Sequence, residues 1–116
     1  MSSLSGIIIE DTKIFQKAVK KLQKRFKNIE LDCDEFISTI QTTDDLGIAL
    51  GSGVYKVRIA NSDKHSGKSA GYRLITYLKL IDGRLYLVYI YDKSDLDNLS
   101  ENQLDELIKK VALEHN

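Results

Sequence analysis

Little in this chain announces a special class of protein. It has one cysteine, Cys33, which excludes a disulfide framework and a thiolate metal cluster and suits a reducing compartment. It has two histidines, His65 and His115, with no carboxylates spaced beside them as metal ligands, so neither a metal nor another cofactor is expected. Its longest apolar run, Leu85–Tyr91, falls far short of the roughly 20 residues that span a bilayer. Met1–Gly6 lacks the basic patch and apolar stretch of a signal peptide. Net charge is missing too, 17 Lys and Arg against 17 Asp and Glu, which argues against a general nucleic-acid coat. Proline and tryptophan are absent, and there is no repeat or low-complexity tract. A hydrophobic share of 42% excludes a disordered chain. The 116 residues are therefore expected to form a single domain, residues 1–116, soluble in the cytoplasm and away from membranes.

The neutral total hides an uneven distribution. Residues 1–52 carry seven Lys and Arg against eight Asp and Glu, and residues 86–116 carry three against seven. Residues 53–85 carry seven cations, Lys56, Arg58, Lys64, Lys68, Arg73, Lys79 and Arg84, against only Asp63 and Asp82. A focused cationic site is compatible with zero net charge, and the middle third is where it would lie.

Periodicity orders the chain into an α+β domain: an N-terminal strand and two helices, a three-stranded antiparallel meander and a C-terminal helix. The strand lies near Gly6–Ile9, and Asp11 or Thr12 caps the first helix. Ile14, Phe15, Ala18, Val19, Leu22, Phe26 and Ile29 recur at helical spacing. Lys13, Lys17, Lys20, Lys21 and Lys24 between them read as a solvated face rather than a binding patch. A second helix is predicted from about Asp34, and Gly47, Gly51 and Gly53 predict a flexible connection. Val54–Ala60 alternates, with Tyr55, Val57 and Ile59 on one face and Lys56 and Arg58 on the other. Tyr72–Ile81 and Arg84–Tyr91 follow as strands, joined by Asp82-Gly83 as a two-residue hairpin turn. Ser100 with Gln103 predicts a capping box, opening a helix that buries Leu104, Leu107, Ile108 and Val111. All helices are expected on one face of the meander.

Two nucleotide-like motifs fail on inspection. Gly67-Lys68-Ser69 resembles the tail of a phosphate loop, but Ser62 stands where the first glycine belongs, and a strand rather than a helix follows. Gly51-Ser52-Gly53 follows no predicted strand, so it is not a dinucleotide loop. No nucleophile-elbow motif is present. What remains is cationic: Lys56 and Arg58 share a strand face, and the neighbouring strand carries Arg73, flanked by Tyr72 and Leu74, where it need not support the core. Three cations in one patch repel one another, and a bound phosphate would relieve that repulsion.

Tyr55-Lys56-Val57-Arg58, a loop rich in Lys and Gly, and Gly67-Lys68-Ser69-Ala70-Gly71-Tyr72-Arg73-Leu74-Ile75-Thr76-Tyr77 resemble the centre of RelE/HigB-type toxins. Leu87-Val88-Tyr89-Ile90-Tyr91-Asp92-Lys93-Ser94-Asp95 and the Leu99-Ser100 helix start are similar to the C-terminal part of that family. The resemblance implies a RelE-like fold and a neighbouring antitoxin as partner, a small helix-turn-helix protein. It also implies cleavage of mRNA, commonly in the ribosomal A site. Position by position it implies catalytic roles for Lys56, Arg58 and Arg73, the last at the scissile phosphate. RNA-binding roles are implied for Lys64, His65, Lys68 and Lys93, with Tyr91 standing in for a C-terminal aromatic of some members.

The corresponding chemistry is attack of the RNA 2′-hydroxyl on the adjacent phosphorus. It needs a base, neutralisation of the phosphorane charge and a proton for the leaving 5′-oxygen. Arginines bind phosphate through two parallel bonds, Lys56 serves as base only with a depressed pKa, and a histidine such as His65 titrates near neutrality. Two alternatives remain: a toxin of the same fold that poisons a protein such as DNA gyrase, and a non-catalytic antitoxin-binding homologue.

Overall fold

The structure, a computed structural model, describes residues 3–64, 67 and 70–115. His65 and Lys68 therefore lie outside the described residues. The order is β1 (Ile8–Asp11), α1 (Lys13–Gln23), α2 (Ile29–Ser38), β2 (Ile48–Gly51), β3 (Val54–Ile59), β4 (Tyr72–Lys79), β5 (Arg84–Asp92) and α3 (Glu101–Glu114). The class is α+β, with strand, two helices, antiparallel strands and C-terminal helix in the expected sequence.

The expected meander is the centre of a larger, five-stranded sheet ordered β1-β5-β4-β3-β2. β1 joins it parallel to β5, Ile8 opposite Arg84. At the other margin the segment predicted to be a flexible connection is a strand: β2 pairs antiparallel with β3, Ile48 opposite Lys56. Its turn uses positive φ at Gly51, Ser52 and Gly53 (100°, 53° and 84°), a geometry that glycines supply without Cβ strain. The glycines thus close a tight hairpin rather than loosen the chain.

Thr12 caps α1, its hydroxyl oxygen accepting from the Phe15 N–H at 3.1 Å while the hydroxyl donates to the Leu87 carbonyl at 2.8 Å. The first apolar series does not make one long helix. α1 stops at Gln23 and Ile29 already opens α2, earlier than Asp34. Phe26 and Ile29 keep the helical spacing because the intervening turn presents the same side to the core, where Ile29 is fully buried. The hairpin between β4 and β5 is also longer than expected. β4 ends at Lys79, Leu80–Asp82 makes one 3₁₀ turn, and Gly83 closes it at φ 64°. The Asp82 carboxylate holds this shape, accepting from Lys79 Nζ and the Tyr86 hydroxyl, both at 3.2 Å.

The helices do not share one face of the sheet. Tyr72, Leu74, Leu87 and Ile90 pack with Phe15, Val19, Leu22, Ile29 and Cys33 of α1 and α2. Ile75, Tyr86 and Val88 point the other way and pack with Val111 and the Leu104, Leu107 and Ile108 stripe of α3. Strands buried on both faces cannot alternate polar and apolar, which is why β4 and β5 read as near-continuous apolar runs. The Ser100–Gln103 capping box starts α3 as predicted.

Gly71 sets the approach of β3 to β4. A Cβ placed there would lie 2.2 Å from the Ile59 carbonyl oxygen and 2.9 Å from the Asn61 nitrogen. Both are backbone atoms that cannot swing aside. Gly71→Ala is expected to cost about 1–3 kcal/mol, the usual range for overpacking, read as a lower midpoint in urea denaturation. An unchanged midpoint would show that the two strands can separate without penalty.

Candidate functional site

Four of the sequence-predicted residues meet on the α3 face of the sheet. Arg58 of β3 lies directly opposite Arg73 of β4 in the antiparallel register, and Lys56 precedes Arg58 by one same-face step. Lys93 follows β5 immediately. Lys56, Arg58, Arg73 and Lys93 line one cavity of about 240 Å³, together with Ile48, Val57, Asp97 and Asn98. β-Strand alternation positions the first three, and the path of the chain beyond β5 brings in the rest. The Lys93 N–H donates to the Gly71 carbonyl at 3.0 Å, so the same glycine anchors both sides of the site.

The cations differ in setting. Arg58 is exposed and Lys56 is half-buried, its ammonium donating to Asn98 Oδ1 at 2.9 Å. Arg73, expected on an open strand face, is only 5% exposed, and Nη1 donates to the Tyr72 carbonyl at 3.3 Å. β4 is an inner strand, and Arg73 lies between Arg58 of β3 and Tyr91 of β5, so a cation nominated from an open strand face is buried within the sheet. Tyr91 lies opposite Arg73 on β5. It is buried rather than open for base stacking, its hydroxyl has no hydrogen-bond partner among the described residues, and its ring lies 6.2 Å from that of Tyr89. Burial pushes the Tyr91 hydroxyl pKa up, against the opposing charge of Arg73.

Lys64 is placed elsewhere. Its ammonium binds Asp92 Oδ2 at 2.5 Å and the Ala70 carbonyl at 3.3 Å, and sits 5.6 Å from the centre of the Phe26 ring. Asp92 opposes Tyr72 in the sheet and belongs to the α1–α2 side. Lys64 is therefore separated from the cationic cavity by the sheet. Asp92 is fully buried and also accepts from Asn61 Nδ2 at 3.2 Å and from the Ser94 N–H and hydroxyl. Burial alone would raise its pKa, but the bonds from Lys64, Ser94 and Asn61 outweigh it and hold the carboxyl below its ordinary value.

Asp97 and Asn98 are members of the cavity that sequence reasoning missed. They stand between the last strand and the α3 cap, where no periodicity points to a side chain's destination. Cys33 offers no nucleophile, because burial and then the nearby Asp32 and Asp34 push its thiol up to about 12. Among the described residues no group of His, Cys, Asp and Glu is placed to hold a metal, and no helix is long and apolar enough to cross a membrane. The arrangement fits a small, multiply charged anion, since two strands and the segment after β5 bring cationic or hydrogen-bonding groups to one space.

A family model described as "RelE toxin of RelE / RelB toxin-antitoxin system" matches residues 12–115. No curated protein matches the chain.

Proposed function

The chain belongs to the RelE toxin family, and on that premise we propose that it is an endoribonuclease that cleaves mRNA, at the ribosome, through attack of the RNA 2′-hydroxyl on the adjacent phosphate. As a toxin of a toxin–antitoxin system it has an antitoxin as its partner. A small helix-turn-helix protein encoded beside it is the form proposed here. The single observation that carries the nuclease reading is the cavity that gathers Lys56, Arg58, Arg73 and Lys93.

In this mechanism the scissile phosphate enters the cavity and the two facing guanidinium groups bind its non-bridging oxygens. Their charge is worth most in the phosphorane-like transition state, where negative charge increases. Lys56, held by Asn98, adds a third positive charge from the adjacent position on β3. Lys93 completes the cationic lining from the end of β5. Burial of Arg73 strengthens its electrostatic effect, because less water screens it.

The test is induced expression with mapping of RNA 5′ ends, run beside charge-neutralised variants. Lys56→Ala and Arg58→Ala are each expected to slow cleavage at least tenfold at near-physiological salt. The double change Lys17→Ala on α1 with Lys24→Ala at its C-cap is expected to do much less. Those helix lysines lie outside the cavity, and charges beyond about 8 Å are largely screened at physiological ionic strength. Equal losses from both sets would mean diffuse electrostatics. Growth arrest without any new RNA ends would favour a protein target such as DNA gyrase, and no arrest at all a non-catalytic homologue.

A further inference from the structure

The cationic cavity lacks an obvious base. An ammonium must shed its proton before it can accept one, and a guanidinium is effectively never deprotonated. Among the described residues lining the cavity, Asp97 is the one carboxylate. Carboxylates as a class are already in their basic form at neutral pH.

The segment that carries Asp97 is tethered on both sides of it. Its segment leaves the sheet through Lys93, whose N–H is bonded to Gly71, and through the Asp95 N–H, which donates to the Asp92 carbonyl at 3.0 Å. Arg25, two residues past α1, grips the Asp95 carboxylate through both terminal guanidinium nitrogens. On the other side Asn98 accepts from Lys56, and Ser100 caps α3. Asp97 thus sits, exposed, between two tethered residues, Asp95 and Asn98, and lines the cavity. An acidic side chain does nothing for phosphate affinity in such a place, and it weakens the field of the four cations.

We propose that Asp97 is the general base of the cleavage reaction, an assignment that rests on the ribonuclease reading. The 2′-hydroxyl proton moves to the Asp97 carboxylate as O2′ forms its bond to phosphorus. The P–O5′ bond breaks with its electron pair leaving on O5′, which takes a proton from the Lys93 ammonium, the second lysine of the cavity. The products are a 2′,3′-cyclic phosphate and a 5′-hydroxyl, and solvent returns the proton from Asp97 to Lys93.

Single-turnover cleavage separates this role from its rivals. The substrates are a labelled oligoribonucleotide and the same sequence within an mRNA on ribosomes, with a 2′-deoxy version at the cleaved position to measure binding. Asp97→Asn is expected to slow cleavage at least 100-fold, in the range typical of a lost general base. Binding of the 2′-deoxy RNA should stay equal or tighten, because a negative charge has left a cationic site. Asp97→Glu, which keeps the carboxylate, should recover part of the rate.

Wild-type cleavage matched within threefold by Asp97→Asn would overturn this assignment and leave the ribonuclease reading standing. Parallel loss of binding and cleavage would overturn it too, showing that Asp97 only shapes the cavity. Faster cleavage by Asp97→Asn would mean that the carboxylate merely shields the cations. A folded wild-type protein that leaves both RNAs intact would overturn the assignment and the ribonuclease reading together.

Discussion

Arg73→Ala is expected to reduce RNA cleavage by about 10²–10³-fold and to abolish growth arrest, as typically follows removal of one charged donor from a transition state. Arg73 is the most buried of the four cavity cations. Its charge is therefore the least screened, and no solvent cation replaces it cheaply. The same burial means that truncation leaves a gap beside Tyr91 and removes the bond to the Tyr72 carbonyl. Circular dichroism and thermal melting must accompany the activity measurement. Arg73→Lys separates the two effects: it keeps the charge and most of the volume but loses the planar fork that binds phosphate through two bonds. A folded Arg73→Lys protein with at least tenfold slower cleavage would show that guanidinium geometry matters beyond packing. Full activity in both variants would remove Arg73 from the site.

The largest effect on stability is expected at Asp92. This carboxylate has no exposure, and four donors from Lys64, Asn61 and Ser94 converge on it. Asp92→Ala strands those donors, and breaking a buried pair of this kind costs about 3–5 kcal/mol. For a domain of this size the melting temperature should fall on the order of 15 °C. Lys64→Ala should cost less, because Asp92 keeps its other partners and the Lys64 side chain is already 22% exposed. The double variant should lie close to Asp92→Ala, since the shared interaction is lost only once.

The pH dependence has a definite sign. The folded Asp92 pKa lies below its ordinary value of 3.8, so its stabilisation is complete above that value and is lost as pH falls through the folded one. The stability of Asp92→Ala should therefore fall less steeply in acid than that of the wild type. Identical acid limbs for the two proteins would remove Asp92 as the source. Because Asp92 stands between Tyr91 and Lys93, its loss should also loosen the segment that carries Lys93 and Asp97 into the cavity. Cleavage should then fall at temperatures where the variant is still folded.

The element order was legible in the sequence because each local signal had a local cause. Thr12 caps α1 through its own hydroxyl, Ser100 and Gln103 cap α3 reciprocally, and Lys56 and Arg58 share a face because a strand alternates. The cationic residues of β3 and β4 could be nominated for the same reason, and the antiparallel register then sets Arg58 opposite Arg73. Long-range contacts decided the rest. Parallel pairing of β1 with β5 and the edge pairing of β2 depend on partners far along the chain, and α3 takes the second face of the sheet because α1 and α2 already cover the first. Lys64 and Lys93 are alike in sequence, yet a buried carboxylate claims Lys64 while the chain's exit from β5 carries Lys93 into the cavity. Burial of Arg73 follows from its place on an inner strand between Arg58 and Tyr91, and the arrival of Asp97 and Asn98 from the path of one irregular segment, tied down by Gly71, Arg25 and Lys56. Such a path has no period to read, because its shape is set by the surfaces it crosses rather than by its own residues.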